Sequence, residues 1–225
     1  MTFSAVGRCA RTGMVGVAIA TSSIAVGARC PHVRARTGAV ATQNITDPAL
    51  GPLVLDHLAA GYDAVTAAAR ALEQRPHSSF RQLAVVDRQG GTAHFTGERI
   101  LGRHCVACGQ GVVAAGNLLA SEAVPQAMAE TFAAGAEDHL AERLLKALEA
   151  GLAAGGEEGP VHSAALLVAD DQPFALVDLR IDWDDAAPIA ALRRLWTDYR
   201  PQMDAYLIRA LDPEHAPSYG VAGDR

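Results

Sequence analysis

The chain predicts an α+β fold in which two antiparallel sheets stack face to face and helices cover their outer faces. Three observations carry this. Strand-like runs come in couples joined by short Gly-containing turns, the signature of antiparallel hairpins. Helical stretches come in pairs between those couples, which disfavours a parallel sheet of alternating strands and single helices. Half of the 225 residues are hydrophobic and only 5% aromatic, so a sizeable core of Ala, Val and Leu can form.

The elements follow in order. "TFSAVGR" (2–8) and "MVGVAIATSS" (14–23) read as a hairpin around "RTG", and "TGAVATQN" (37–44) as a third strand ended by "TDP". Pro48 is expected to open a helix capped by Asp47. From Ala49 to Gln74 the period is helical, broken at Gly61. Leu53, Leu55, Leu58 and Ala59 line the first helix, and Val65, Ala68, Ala69 and Leu72 the second. "RQLAVVDRQGGTAHFTG" predicts a hairpin with strands 81–87 and 92–96, and "GVVAAGN" (111–117) another strand. Two helices follow, Ser121 to Ala134 and Asp138 to Ala153, then "GGEEGP" as a polar, flexible loop. "HSAALLVAD" and "FALVDLRID" form a last hairpin, and Pro188 and Pro201 each begin a helix. Residues 1–211 read as one domain and 212–225, rich in Pro and Gly, as a flexible C-terminal tail.

Composition excludes several classes. The net charge is −6 and there is no basic run, which argues against binding nucleic acid through its phosphates. No stretch has the layout of a secretory signal, and no apolar run approaches the roughly 18 residues that span a bilayer. The expectation is a soluble, cytoplasmic protein with no membrane or nucleic-acid partner. Cys9, Cys30, Cys105 and Cys108 are then small apolar residues of a reducing compartment. "RHCVACGQ" sets His104 before a Cys-x-x-Cys, but no second Cys/His pair stands at zinc-knuckle spacing, so neither metal nor cofactor is expected. A metal-dependent enzyme built on His104, Cys105 and Cys108 is the weakest of the alternatives.

Thr2 raises a sharper possibility. A small residue at position 2 permits removal of Met1, which leaves a hydroxyl and a free α-amine on one residue. An α-amine with a pKa of ~7.7–8.0 can serve as a base near neutrality. The plain alternative is a β-favouring residue at a strand start.

Six blocks, "MTFSAVGR", "GVAIATSSIAVG", "GAVATQN", "RQLAVVDRQG", "AAGNLL" and "VDLRIDW…PIAALRRL", resemble in this order the DUF1028 family over about residues 1–200. That family is placed among the N-terminal-nucleophile hydrolase-like proteins. The resemblance implies a four-layer αββα sandwich and an amide-cleaving reaction in which the first residue of the mature chain is the nucleophile, here Thr2. It implies no named substrate. Met1 must be absent, because a peptide bond at Thr2 removes the base.

Partners for such a nucleophile can be read from the residues. Ser22 and Ser23, at the end of the second strand, either hold the α-amine or pass a proton, or simply satisfy a strand end. Asn117, after a glycine, either supplies an oxyanion donor or caps a helix. Gln43 and Asn44 end a strand, where amides tie down backbone or face a substrate. Asp178 and Arg180 alternate on one strand face as an ion pair or a carboxylate-binding site. His32 lies in a loop with Arg29, Arg34 and Arg36, a local basic patch. The expected function is hydrolysis of a small-molecule amide, with a non-catalytic ligand-binding or scaffold protein as the alternative. Apolar helix faces over 189–207 suggest a homodimer.

Overall fold

The computed structural model describes residues 1–221. Six strands form one antiparallel sheet in the order β10 (Val177–Ile181), β9 (Ser163–Ala169), β2 (Val15–Thr21), β1 (Thr2–Arg8), β8 (Val112–Asn117) and β7 (Cys105–Gly109). Four form the other, in the order β3 (Pro31–Arg34), β4 (Gly38–Asn44), β5 (Arg81–Asp87) and β6 (Thr92–Thr96). The helices α3 (Ala123–Ala134), α4 (Leu140–Ala153) and α5 (Pro188–Tyr199) cover the larger sheet, followed by α6 (Met203–Leu211). The helices α1 (Leu50–Ala59) and α2 (Ala64–Glu73) cover the smaller one. The result is the four-layer αββα sandwich the sequence predicts.

Strand alternation sorts side chains between layers. On β1, Phe3 and Ala5 face the helices, whereas Val6 faces the second sheet. The layer between the sheets is built from small residues, including Val17, Ala39, Ala41, Ala84 and Ala115. Short side chains there let two sheets approach closely with nothing large to accommodate. The bulk goes to the helix side, where Phe3, Phe132, Leu144 and Leu148 are fully buried. Burying a side chain of that size contributes about 1.5–3 kcal/mol. Contact there is tight at Gly7, where a Cβ would stand 2.6 Å from the Phe132 ring.

Several local expectations are corrected. α1 begins at Leu50 rather than at Pro48, and Asp47 instead accepts from the Ala49 N–H at 3.1 Å and pairs with Arg75 at 2.8 Å. α2 buries Ala64, Ala67, Ala68 and Ala71, so Val65 and Ala69 turn outward. Two strands were not expected: β3, inside the basic stretch "RCPHVRAR", and β7, inside "HCVACG". The "GGEEGP" loop is not free, because Glu157 bridges to Leu119 and is buried. Beyond α6, the Arg209 guanidinium donates to the Pro217 carbonyl at 2.9 Å and lies 3.6 Å over the Tyr219 ring. The rest of the expected tail, 222–225, lies outside the described residues. Among the described residues no helix is long and apolar enough to cross a membrane.

Candidate active site

One end of the layer between the sheets is polar. Asn117 of β8 pairs across the strands with Thr2 of β1, and Thr21 of β2 pairs with Ser163 of β9. The Thr2 and Thr21 hydroxyls lie 3.2 Å apart. Four polar side chains thus cross four adjacent strands in one row, all of them buried. Each continues an inward-facing series: Thr2 and Ser4 precede Val6, Thr21 follows Val17 and Ile19, and Asn117 follows Val113 and Ala115.

The facing sheet answers with two amides. Gln43 and Gln82 are cross-strand partners on β4 and β5. Ser4 Oγ donates to Gln43 Oε1 at 2.8 Å, and Gln43 Nε2 donates to Gln82 Oε1 at 2.7 Å. Asn117 Nδ2 donates to the same oxygen at 3.2 Å, while Gln82 Nε2 donates to the Gly116 carbonyl at 3.1 Å. The network stitches the sheets together directly behind Thr2. A buried amide left without its partner costs about 1–3 kcal/mol, so the network locks its members in position. Asn117 Oδ1 alone has no partner among the described residues.

Met1 sits over this row. Its carbonyl oxygen accepts from both the Thr2 and the Thr21 hydroxyls. Its side chain rests on Gly159, where a Cβ would stand 2.8 Å from the Met1 terminal methyl. Burial lowers the pKa of its α-amine, opposed by attraction to the Glu157 carboxylate. Glu157 is only 6% exposed, and neither of its oxygens has a hydrogen-bond partner among the described residues. Burial pushes its pKa up to about 8, against the pull of the terminal amine and of the nearby Ser22 N–H, which falls outside hydrogen-bond geometry. The stretch that carries it is anchored by the Glu158 N–H, which donates to the Leu118 carbonyl at 2.9 Å. Beside it opens a cleft of about 310 Å³ lined by Leu152, Glu157, Gly159, Val161 and Ile189.

The structure brings Thr2, Asn117 and Gln43 together and leaves the other expected site residues elsewhere. β2 ends at Thr21, so Ser22 is half-buried and Ser23 exposed, and neither hydroxyl makes a hydrogen bond among the described residues. The neighbouring hydroxyl comes from Thr21 instead. Ser23 contributes only its carbonyl, which accepts from Ser163 Oγ at 2.6 Å. Asn44 has a left-handed backbone, φ +73°, and its side chain ties down a loop. It donates to the Phe80 carbonyl at 2.7 Å and accepts from the Leu101 N–H at 3.3 Å. His32 packs against Gly51 of α1, and burial lowers its pKa. Asp178 and Arg180 form a bidentate pair, 2.7 and 2.9 Å, on the edge strand β10. Cys105 and Cys108, three apart on β7, fall on opposite faces of that strand. Among the described residues no three His, Cys, Asp or Glu side chains cluster as metal ligands. Thr21, Ser163, Gln82 and Glu157 were missed. Gln82 shares a face with Ala84 and Val86, and a lone amide in that apolar series was the available signal.

Fold and site together define an αββα-sandwich protein with a buried hydroxyl row at the head of its first strand. The chain belongs to DUF1028, a family of unknown function, which matches it over residues 2–192. It is similar to a DUF1028 protein from Silicibacter pomeroyi known from its crystal structure. The two share 33% identity with a TM-score of 0.82, covering 88% of this chain and 85% of that one. A lesser likeness is to Anbu, an ancestral β-subunit, from Yersinia bercovieri, at 11% identity and a TM-score of 0.41 over 91% of this chain and 97% of that one. A mutant Anbu from a Hyphomicrobium strain gives 14% and 0.43 over the same shares. No curated protein matches the chain.

Proposed function

We propose that the chain is an N-terminal-nucleophile amidohydrolase acting on a small-molecule amide, with Thr2 as nucleophile once Met1 is removed. The observation that supports this most is the buried row Asn117–Thr2–Thr21–Ser163, which places a hydroxyl at the head of β1 among converging polar groups. In the mature chain the Thr2 α-amine takes the proton of Thr2 Oγ1 as that oxygen attacks the substrate carbonyl carbon. The tetrahedral centre collapses with loss of the amine, which leaves carrying the proton, and water then hydrolyses the Thr2 ester. Burial already lowers the pKa of the Met1 amine here. Desolvation at Thr2 acts in the same direction, favouring the neutral amine that a base needs. Thr21 holds the Thr2 hydroxyl in register. Asn117 Nδ2 spends one proton on Gln82 and has a second for the oxyanion.

The protein is read as soluble, cytoplasmic and homodimeric. The outward Leu195, Tyr206, Ile208 and Leu211 of α5 and α6 favour the dimer. The test is a panel of small amides offered to the chain beginning at Thr2 and to its Thr2→Ala variant. Turnover by the first alone supports the proposal, and equal turnover by both rejects it. Turnover of no amide by either, with a uniform Thr2 N-terminus, favours the ligand-binding alternative.

A further inference from the structure

Glu157 is a buried titratable group near Thr2 that the hydrolytic scheme leaves without a task. Its carboxyl group is removed from water, with neither oxygen hydrogen-bonded among the described residues, and a cation laid against it favours the ionised form. A buried polar group left unpaired is costly and uncommon in a folded protein, so an unpaired carboxylate at a cleft wall indicates a place for a cationic donor. The other carboxylate of that cleft is already engaged. Asp185 accepts from the Trp183 indole N–H at 3.0 Å and lies 3.5 Å from His162 Nδ1.

Met1 shows how an aminoacyl group fits the site. Its carbonyl takes the two threonine hydroxyls, its side chain lies against Gly159, and its ammonium is drawn toward Glu157 without reaching a direct ion pair. When Met1 is gone, all three positions are vacant together. From this we infer that the substrate is an amide of an α-amino acid with its amine free, the ammonium bound by Glu157 and an apolar side chain lodged among Leu152, Val161 and Ile189. The inference rests on the proposed reading of Thr2. The cleft of about 310 Å³ is at the lower end of small-molecule sites, the size for one residue rather than a peptide.

The test separates binding from turnover. The full chain, released from a cleavable fusion so that it begins at residue 2, is prepared as Thr2→Ala with and without Glu157→Gln. Leucinamide and 4-methylpentanamide, which differ only in the amine, are titrated into each by calorimetry. The Thr2→Ala chain is expected to prefer leucinamide by about 10–100-fold, and Glu157→Gln to erase that preference. Glu157→Leu serves in its place if the Gln variant does not fold. Equal binding of the two amides, binding of neither, or a preference that survives at Glu157→Gln overturns the inference.

Hydrolysis of leucine p-nitroanilide and 4-methylpentanoyl p-nitroanilide by the chain with Thr2 intact is the second arm. Loss at Glu157→Gln confined to the first substrate is expected. Equal loss on both assigns Glu157 to the Thr2 α-amine and overturns the inference. Should neither anilide turn over while leucinamide still binds through Glu157, the nucleophile reading falls and the aminoacyl site stands.

Discussion

Two of the clefts that open on the sandwich differ in a way that volume does not reveal. The larger, about 630 Å³, is lined by Val33 and Ala35 from the smaller sheet's edge and by Asp178 and Arg180 of β10. Its charges are paired: Arg180 is bidentate with Asp178, and Arg36 donates to Asp171 at 2.9 Å. The smaller, about 310 Å³, is lined by Gly159, on which Met1 rests, and by Glu157, whose oxygens have no hydrogen-bond partner among the described residues. Exposed, satisfied pairs call for no further partner, whereas a buried group without one is where the proposed ligand would bind. Size alone would have favoured the cleft whose charges are already paired.

Substitutions can break that contrast. Thr2→Ala is expected to lower amide turnover by about 10³-fold or more, because the nucleophile and its proton transfer both go, while Arg180→Ala leaves turnover unchanged. Paired steady-state assays check this, and comparable losses in the two variants would erase the distinction between the clefts. Gln82→Ala strands both Gln43 and Asn117 in the layer between the sheets. Its expected cost is about 2–4 kcal/mol in urea unfolding, with reduced turnover in whatever remains folded.

The next effect depends on pH. In the fold Glu157 keeps its proton up to about pH 8, whereas in the unfolded chain it ionises near the ordinary 4.5. The folded state therefore binds the extra proton, and stability falls as pH rises through that window. Glu157→Gln abolishes this slope, for an expected gain of about 4 kcal/mol at pH 8 and almost none at pH 4. Denaturant titrations of the Met1-bearing chain at the two pH values read it out. The smallest effect is at the edge cleft, where Asp178→Ala costs about 0–1 kcal/mol in the same titration because the pair is solvent-screened.

What could be read beforehand follows the physics of each signal. Alternation and turn residues laid out eight of the ten strands and the pairing of helices, because those strands carry apolar or alternating runs joined by Gly-containing turns or ended by turn residues. β3 and β7 escaped because "PHVR" and "CVACG" are short, polar or Cys-bearing, and belong to sheet edges where burial imposes little pattern. α2 was rotated by one position because a helix of alanines gives Val65 undue weight. Thr2 and Asn117 were legible from the family resemblance and from strand ends. Thr21 and Ser163 were not, since register decides which hydroxyls stand beside Thr2, and register is a property of strand pairing. Glu157 hid in a loop whose composition reads as solvated.

The central claim is that Thr2, freed of Met1, is a nucleophile. Intact mass and peptide mapping after treatment with a β-lactone, which acylates hydroxyl nucleophiles, test it most directly. The account predicts a chain that begins at Thr2 and carries one acyl group on its N-terminal peptide, absent from Thr2→Ala. Retained Met1 in the folded protein, or acylation undiminished in Thr2→Ala, would contradict it.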